Sequence, residues 1–548
     1  MAAAGLLGET SAPIRFDLKT LPFRLENAET VERHEPAAMA GGVAVFDYNH
    51  DGRPDIFFTN GANLATLKKD DPKYANRLFR NDGNGVFTDV TEKAGLRGSG
   101  YDIGAAVGDY DNDGHPDLFL AGVHRNSLYR NNGDGTFTDV TVKAGLAGPA
   151  DPQYGPMWAV AAAWLDVNND GLLDLFVVNY VQWDYAKEPR CSHDGVSEYC
   201  SPSHFQGLPD QLFLNKGNGT FEDVSAKWGI RAHPGKGMGA GVADYDLDGR
   251  PDIFVTNDVY YNFLFHNLGG RFENSALQTG TALVEDGNFI SGMGLDFRDI
   301  NNDGYPDITF VALEKQTFPI FQNREGKEFR EVTGESGMRF ASMAMAGFGA
   351  ALYDFDNDGW KDIFVTRGDV LSLPAPGITV NQHNSVFHNP GAAGKWRALT
   401  GEAGLDAGEP GRHRGCAFGD FDGDGRVDVV ATALGKPAEI WMNRSEPSGH
   451  WLDIELEGTT SNRDGIGARI RVAAKSGIQF NHMTTSAGYA SSSAGPVHFG
   501  LGADTQADVI EIHWPSGIVQ TLRDVKANRV LRVREAGPRG VSATDSAR

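Results

Sequence analysis

A nine-residue acidic pattern, Asp-x-[Asp/Asn]-x-Asp-Gly-x-x-Asp, occurs seven times along the chain. Successive copies begin 62, 57, 78, 55, 55 and 66 residues apart. Self-similarity at such spacings indicates a repeat architecture, in which one unit cannot bury its apolar face alone and needs its neighbours. The copies begin at Asp47, Asp109, Asp166, Asp244, Asp299, Asp354 and Asp420.

The sequence around each acidic pattern also repeats. A Gly/Ala-rich apolar segment such as "GAGVA" precedes it, and a β-type run such as "IFVTN" follows it. Next come a strand-like segment that ends in Asn and one of the Phe-x-Asp-Val-Thr type. Each unit is therefore predicted to contain four short strands joined by tight turns. Seven units predict an all-β fold, a seven-bladed β-propeller with the Gly/Ala-rich strands innermost, and a superhelical solenoid is the structural alternative.

The ends of the repeat region predict how the propeller closes. After "VVATALGKPAEIWMNR" the sequence changes character, so the seventh unit lacks its fourth strand. The N-terminal segment 1–33 contains "IRFDLKT" from Ile14, and we predict that it supplies this strand to a propeller of residues 34–447. Residues 448–536 are predicted to form a small β domain, and residues 537–548 a disordered tail.

The acidic pattern suits a hard cation bound by oxygen atoms. Side chains at positions 1, 3, 5 and 9 converge, position 7 contributes its backbone carbonyl, and glycine at position 6 permits a sharp turn. We predict up to seven Ca²⁺ ions, largely structural, because Mg²⁺ prefers fewer carboxylates and keeps its waters. The predicted ligands are Asp47, Asn49, Asp51, Arg53, Asp55, Asp109, Asp111, Asp113, His115, Asp117, Asp166, Asn168, Asp170, Leu172, Asp174, Asp244, Asp246, Asp248, Arg250, Asp252, Asp299, Asn301, Asp303, Tyr305, Asp307, Asp354, Asp356, Asp358, Trp360, Asp362, Asp420, Asp422, Asp424, Arg426 and Asp428.

Two alternatives to this kind of cation site account less well for the acidic pattern. The copies are not EF-hands, because strands are expected on both sides and position 12 of the first copy is Phe58 rather than Glu. Acidic β-turns without metal are the simpler alternative, since Asp, Asn and Gly are ordinary turn residues. The charge favours metal, because seven Ca²⁺ ions would change the formal net charge from −24 to −10.

Charge, hydropathy and cysteine content exclude some classes of protein. The net charge of −24 argues against nucleic acid or an anionic membrane as the main partner. No run of 18 apolar residues occurs, so no membrane insertion is predicted, and the N-terminus lacks the basic region of a signal peptide. Cys191 and Cys200 form either a disulfide, which would indicate an oxidising compartment, or two inert thiols.

These repeats resemble a known family. Residues 14–447 are similar to the FG-GAP (VCBS-type) repeat proteins, which share this kind of calcium loop. The segments 450–472, 486–502 and 510–522 contain Ser-Asn-Arg-Asp, Gly-Ala-Arg, Phe-Gly-Leu-Gly and Trp-Pro-Ser-Gly. They resemble the ASPIC/UnbV domain at the end of cartilage acidic protein-like chains. The resemblance implies a calcium-binding propeller, an extracellular or periplasmic location, and a role in adhesion or recognition.

The repeat topology predicts two faces with different roles. All acidic loops join the first and second strands of a unit, so they lie on one face. The long insertions 61–76, 181–210 and 369–384 lie on the opposite face, and function tends to lie on variable loops held by a rigid scaffold. We predict a monomeric recognition or adhesion scaffold that uses this opposite face to bind a protein, a glycan or a small-molecule ligand.

An enzyme is the alternative function. The sequence contains no Gly-x-Ser-x-Gly elbow, His-Glu-x-x-His motif, P-loop or dinucleotide fingerprint. A small-molecule pocket at the propeller mouth, lined by His, Asp and Tyr, would instead favour an acid–base catalyst such as a biosynthetic cyclase. The candidate catalytic residues on the opposite face are His204, His233, His383 and Asp258.

Overall fold

The computed structural model describes residues 13–147, 150–371, 379–446 and 449–537. The described chain is built almost wholly from β-strands, which confirms the predicted all-β class. The predicted disordered tail lies outside the described residues, apart from Gly537. No helix in the described ranges is long and apolar enough to cross a membrane.

The strands of the repeat region follow one another in the predicted pattern. The N-terminal strand and the first three repeats comprise β1 Phe16–Arg24, β2 Val43–Phe46, β3 Asp55–Phe58, β4 Arg77–Gly83, β5 Val86–Asp89, β6 Asp102–Gly108, β7 Asp117–Gly122, β8 Ser127–Asn131, β9 Phe137–Asp139, β10 Ala159–Leu165, β11 Asp174–Asn179, β12 Cys191–His193, β13 Val196–Glu198, β14 Leu208–Pro209, β15 Gln211–Asn215 and β16 Phe221–Asp223. The other repeats comprise β17 Pro234–Gly235, β18 Gly237–Ala243, β19 Asp252–Asn257, β20 Phe263–Asn267, β21 Phe272–Asn274, β22 Leu295–Arg298, β23 Asp307–Phe310, β24 Ile320–Arg324, β25 Glu328–Glu331, β26 Gly347–Tyr353, β27 Asp362–Arg367, β28 Ser385–His388, β29 Arg397–Leu399, β30 His413–Gly419, β31 Asp428–Ala433 and β32 Pro437–Asn443.

Apart from the two-stranded sheets β12-β13 and β14-β17, the strands described for the repeat region form seven antiparallel sheets, which we call repeat sheets 1 to 7 in chain order. Sheets 1 to 6 begin at β2, β6, β10, β18, β22 and β26, and sheet 7 has the order β1-β32-β31-β30. The inner strands contact one another in chain order, and the last of them contacts the first. They are β2, β6, β10, β18, β22, β26 and β30. This order supports the seven-bladed propeller, whose blade number stays a prediction.

Short helices connect the sheets. The α-helices are α1 Pro36–Met39, α2 Thr91–Ala94, α3 Thr141–Ala144, α4 Ala276–Thr279 and α5 Met338–Ser342. Single 3₁₀ turns span Pro72–Tyr74, Pro202–His204, Ile230–Ala232 and Gly391–Ala393. The insertion in sheet 3 carries the hairpin β12–β13, and a disulfide joins Cys191 to Cys200 beside it. Cys416 is a buried free thiol.

The N-terminal strand is the outer strand of sheet 7. β1 pairs antiparallel with β32, from Phe16 opposite Asn443 to Leu21 opposite Ala438. This is the pairing that the sequence predicts for the segment from Ile14. The pairing joins the two ends of the repeat region. It also satisfies the backbone N–H and C=O groups at the edge of β32, which would otherwise be unpaired.

Small residues allow the inner strands to approach one another. A Cβ atom added to Gly42 would lie 2.4 Å from the carbonyl oxygen of Ile103 in the next sheet. A Cβ atom added to Gly104 would lie 2.2 Å from the carbonyl oxygen of Val160. Real Cβ atoms do not approach backbone oxygens so closely, so the Gly/Ala-rich strands can meet only because side chains are absent there.

Seven asparagines link consecutive repeats in a cycle. Each lies at or next to the end of the third strand of its repeat, and its Nδ2 donates to the backbone carbonyl of position 2 in the acidic loop of the preceding repeat. The distances range from 2.7 to 3.3 Å. The first repeat bonds back to the seventh through Asn81 and the Phe421 carbonyl. The donors are Asn81, Asn131, Asn215, Asn267, Asn323, Asn389 and Asn443.

Replacing Asn131 with alanine is expected to lower the free energy of unfolding by about 2–4 kcal/mol. The change removes a donor at 2.9 Å from the carbonyl of buried Tyr48 and another at 3.2 Å from the carbonyl of half-buried Pro116. Asn132 is exposed, and in the described chain its side chain bonds only to Thr136 and Thr138 of the same hairpin, so Asn132→Ala is the matched control, with an expected change within about 0.5 kcal/mol. Urea denaturation measures both variants, and equal losses would contradict the role given to the cycle.

The C-terminal segment forms a second β region that is attached to the repeats. Its strands are β33 His450–Glu457, β34 Arg469–Ala474, β35 Gly477–His482, β36 Ser492–Ala494, β37 Val497–Gly502, β38 Gln506–His513, β39 Val519–Lys526 and β40 Arg529–Arg534. They make one sheet of order β37-β33-β40 and another of order β35-β34-β38-β39, while β36 joins repeat sheet 1. Alternate apolar side chains of the two sheets pack together, and this core is continuous with apolar residues of repeat sheets 2 and 3.

Residues 485–494 of this domain reach into the space between the inner strands. β36 pairs in parallel with β2. The Ala490 carbonyl accepts from the Ala105 amide at 3.1 Å. The Tyr489 side chain is fully buried, and its hydroxyl donates to the Met39 carbonyl at 2.7 Å. The segment therefore fills the axis of the repeat region and fixes the C-terminal domain to it.

Candidate metal centres

The acidic loops share one backbone geometry. In each of the seven loops the amide of the glycine at position 6 donates to the aspartate at position 1, at 2.7–3.0 Å. That glycine has φ between 81° and 98°, a region that favours glycine. Position 4 is also left-handed in every loop, although six of its seven residues are not glycine. The sequence pattern predicts the first constraint but not the second.

The ninth residue of every loop is a buried aspartate that also braces the repeat. One of its carboxylate oxygens accepts the amide of the Asn that ends the third strand, at 2.6–2.8 Å. The other accepts the amide of loop position 2, at 2.9–3.2 Å. These aspartates are at most 1% exposed. Position 9 therefore holds the loop to the sheet, whether or not a cation is bound.

Burial and mutual repulsion raise the pKa values of the loop carboxylates. The pKa is raised to about 8 for Asp55, Asp109, Asp174 and Asp354, with burial as the largest cause. Neighbouring carboxylates add to the shift. A folded-state pKa above the unfolded value means that ionisation at neutral pH costs folding free energy. A cation among these oxygens would remove that cost.

Several loops bring their oxygens within reach of one cation. In loops 2, 4 and 6 one oxygen from each aspartate at positions 1, 3 and 9 lies within 4.8 Å of the others. The Oδ1 atoms of Asp111 and Asp356 are buried and accept no hydrogen bond. A donor set of carboxylate and carbonyl oxygens fits a hard divalent cation such as Ca²⁺. These residues therefore fit the predicted ion.

Basic side chains lie beside the loops and were not expected there. The guanidinium groups of Arg53, Arg250 and Arg426, at position 7, pair with the position 5 aspartate of their own loop. The sequence pattern predicts a role only for the backbone carbonyl of position 7. His266 and His388, on the third strands, lie 3.9 and 3.6 Å from position 3 aspartates. These basic side chains would thus compete with a metal ion for some of the loop carboxylates.

The catalytic candidates on the opposite face do not form one constellation. His204 is exposed, and His233 and His383 are half-buried. His233 packs beside the ring of Phe263, and Asp258 is buried and accepts the Tyr180 hydroxyl at 3.0 Å. Across the described chain, no hydrogen bond or ion pair joins any two of the four candidates. Asp258 Oδ1 has no partner there, and burial raises its pKa.

A cavity of about 560 Å³ lies on the side of the acidic loops. Loops 3 to 5 form one wall, and the sheet β35-β34-β38-β39 with the segment 514–519 forms the other. We call it the interdomain cleft. The sequence predicts a functional site on the opposite face, where the long insertions lie. It does not predict this cleft, because no local pattern indicates that the C-terminal domain lies over loops 3 to 5.

Comparisons with known proteins agree with the sequence resemblance. The FG-GAP-like repeat family matches residues 47–120, 109–177, 194–255, 244–310, 299–365 and 354–431, and the ASPIC and UnbV family matches 458–539. Cartilage acidic protein 1 of Homo sapiens is 24% identical over 531 residues, which are 91% of this chain and 72% of that protein. The Xenopus tropicalis protein of the same name is 25% identical over 531 residues, 91% of this chain and 74% of its own length.

Solved structures align with this chain at low similarity. An Agrocybe aegerita lectin, described as recognising non-reducing terminal N-acetylglucosamine, aligns with a TM-score of 0.39 and 15% identity, over 78% of this chain and 97% of its own. The Bacillus licheniformis rhamnogalacturonan lyase PL11 aligns with a TM-score of 0.37 and 11% identity, over 78% of this chain and 75% of its own. Alignments at these TM-scores support no conclusion about ligand or reaction.

Proposed function

Since the chain belongs to the FG-GAP-like repeat family and ends in an ASPIC and UnbV domain, we propose that it is a calcium-binding recognition scaffold. The observation that carries the proposal is the shared geometry of the seven acidic loops. In each of them backbone amides orient the position 1 and position 9 carboxylates. A rigid, oxygen-rich loop is the kind of site that binds Ca²⁺.

Calcium would serve the fold rather than a reaction. Oxygens at positions 1, 3, 5, 7 and 9 would hold the ion, and the bound ion would supply positive charge among like-charged carboxylates. The four catalytic candidates make no hydrogen bond or ion pair with one another in the described ranges. We therefore propose no reaction, and we propose a location outside the cytoplasm, where calcium is plentiful and the Cys191–Cys200 disulfide is stable.

The calcium proposal is tested by stoichiometry. Asp111→Ala is expected to lower the number of Ca²⁺ ions per chain by one, because it removes the buried, unpartnered oxygen of loop 2. Equilibrium dialysis followed by metal analysis gives the number. Asp134→Ala is the matched control, since this exposed aspartate belongs to a turn outside the acidic loops. A wild-type chain that binds no calcium would overturn the proposal.

The recognised partner is proposed to be a protein, a glycan or a small molecule, bound by a monomer of this chain. The opposite face stays a candidate for recognition, because Tyr260, Tyr261 and Phe289 are exposed there and their rings contact one another, with centroids 4.8–6.4 Å apart. Clustered exposed aromatic rings are typical of binding surfaces. Ligand titration of a Phe289→Ala variant distinguishes this face from the interdomain cleft, because only a site on this face would lose affinity.

A further inference from the structure

We propose that the interdomain cleft binds a small organic anion with an apolar body, and that Arg469 recognises its carboxylate or sulfonate group. The inference rests on the proposed recognition function and identifies a site and a ligand class for it. The cleft volume of about 560 Å³ lies in the range of small-molecule sites, roughly 300–1,000 Å³. The cleft exists only where two domains meet, a frequent position for ligand sites.

Strand register places Arg469 in the cleft wall that is formed by the sheet β35-β34-β38-β39. On the sheet β35-β34-β38-β39, Arg469 lies directly opposite His482 on one side and His513 on the other. Because side chains alternate between the faces of a sheet, these three share one face with Arg471 and Phe480, and all five line the cleft. The opposite face of the same sheet is buried in the domain core.

The two arginines of this wall, Arg469 and Arg471, differ in their partners. Arg471 donates to Glu511 at 2.6 Å, so its charge is paired. The Arg469 side chain makes no hydrogen bond within the described ranges, and its ion-pair contact with Asp244 is long, at 3.9 Å. This side chain is 33% exposed. A guanidinium with free donors in a partly dry cleft suits a bidentate carboxylate or sulfonate.

The remaining walls are suited to an apolar body. Phe480 is half-buried and lies over the loop 5 glycine, Gly304. Leu247, Tyr305 and Trp514 also line the cleft. Apolar and aromatic walls with a few charged groups are the usual composition of a small-molecule site. Loop aspartates also line the cleft, so binding of an anion requires that bound calcium offsets their negative charge. They are Asp166, Asp244, Asp299 and Asp303. An amphiphilic anion therefore matches the cleft better than a sugar or a simple inorganic anion.

The acidic loops of the opposite wall determine whether the Arg469 guanidinium is available to a ligand. Asp244 is the first ligand position of loop 4, and it is the carboxylate that faces Arg469. A calcium ion in loop 4 would engage Asp244 and leave the guanidinium to an external anion. We therefore expect the cleft to bind anions more tightly in calcium-containing buffer than after chelation.

Fluorescence titration with anilinonaphthalene sulfonate tests the proposal on the full chain in calcium-containing buffer. Arg469→Gln is expected to weaken dye binding about tenfold or more, because a charge-assisted hydrogen-bond pair is lost. Arg532→Gln is the matched control, since Arg532 is an exposed arginine of the same domain that pairs with Glu455. Circular dichroism and calcium stoichiometry confirm that each variant is folded and loaded.

A neutral probe separates the charge effect from the apolar effect. Phenyl naphthylamine has the same rings without the sulfonate, so its binding should be unchanged by Arg469→Gln and weakened by Phe480→Ala. Equal dye affinity of the Arg469 and Arg532 variants, or no saturable binding, would overturn the inference while leaving normal calcium stoichiometry, and hence the calcium scaffold, intact. Loss of dye binding in Phe289→Ala but not in Arg469→Gln would overturn it by placing the site on the opposite face.

Discussion

A strong chelator is expected to lower the melting temperature of this protein by more than about 10 °C. Each loop that binds calcium at a free concentration 100 times its Kd stabilises the folded chain by about 2.7 kcal/mol. Each kcal/mol shifts the melting temperature by about 2–4 °C in domains of 150–250 residues, and by less in larger ones. Several occupied loops therefore produce a large effect. Scanning calorimetry with and without chelator measures it.

Adding back either calcium or magnesium provides the control for the chelator experiment. Restoring calcium should restore the melting temperature, whereas the same concentration of magnesium should not, because Mg²⁺ needs near-ideal octahedral geometry and keeps its waters. An unchanged melting curve after chelation would show that the arginine and backbone contacts of the loops are sufficient without metal. That result would favour acidic turns that bind no ion.

Removing the N-terminal strand is expected to destabilise the repeat region severely. A chain that begins at Glu26 lacks β1 and leaves the edge of β32 without its partner. The lost segment includes Ile14, Phe16, Phe23 and Leu25, all at most 3% exposed. Burial of one such side chain contributes about 1.5–3 kcal/mol, so the loss approaches the whole stability of an ordinary domain. The melting temperature, or the soluble yield, measures the effect.

A point variant makes the same test in a chain that still folds. Phe16→Ala should cost about 3–5 kcal/mol of unfolding free energy, because its ring packs edge-on against Phe355 and Phe364, with centroids 5.5 and 5.8 Å away. Thr20→Ala is the control, since Thr20 is exposed on the same strand. If the shortened chain melts like the full one, β1 does not close the repeat region.

Local patterns were sufficient to predict the acidic loops and the strands around them. Ligand spacing, the invariant Gly at position 6 and the period-2 strands are properties of nine to twelve consecutive residues, and a seven-fold recurrence makes each of them unmistakable. The N-terminal strand was predicted because the seventh repeat lacks a fourth strand. Such a deficit is visible in the sequence, although its partner lies over 400 residues away.

Side-chain partners could not be predicted with the same success. The Asn that ends each third strand was noticed as part of the repeat, yet its bond to the preceding repeat became apparent only when the sheets were placed side by side. The sequence pattern assigns position 7 only a backbone carbonyl and does not predict the ion pairs that Arg53, Arg250 and Arg426 make. A pattern within one repeat cannot report a contact between two.

The sequence by itself determined the repeated unit, its acidic loops and their suitability for calcium, because these depend on short-range spacing and on the chemistry of single side chains. Only the tertiary structure decided what lies on each face. Insertion of residues 485–494 along the axis places the C-terminal domain over the acidic loops and forms the cleft around Arg469. The reason is physical: docking depends on the summed shape and hydrogen bonding of two distant surfaces, for which no local pattern in the chain provides a signal.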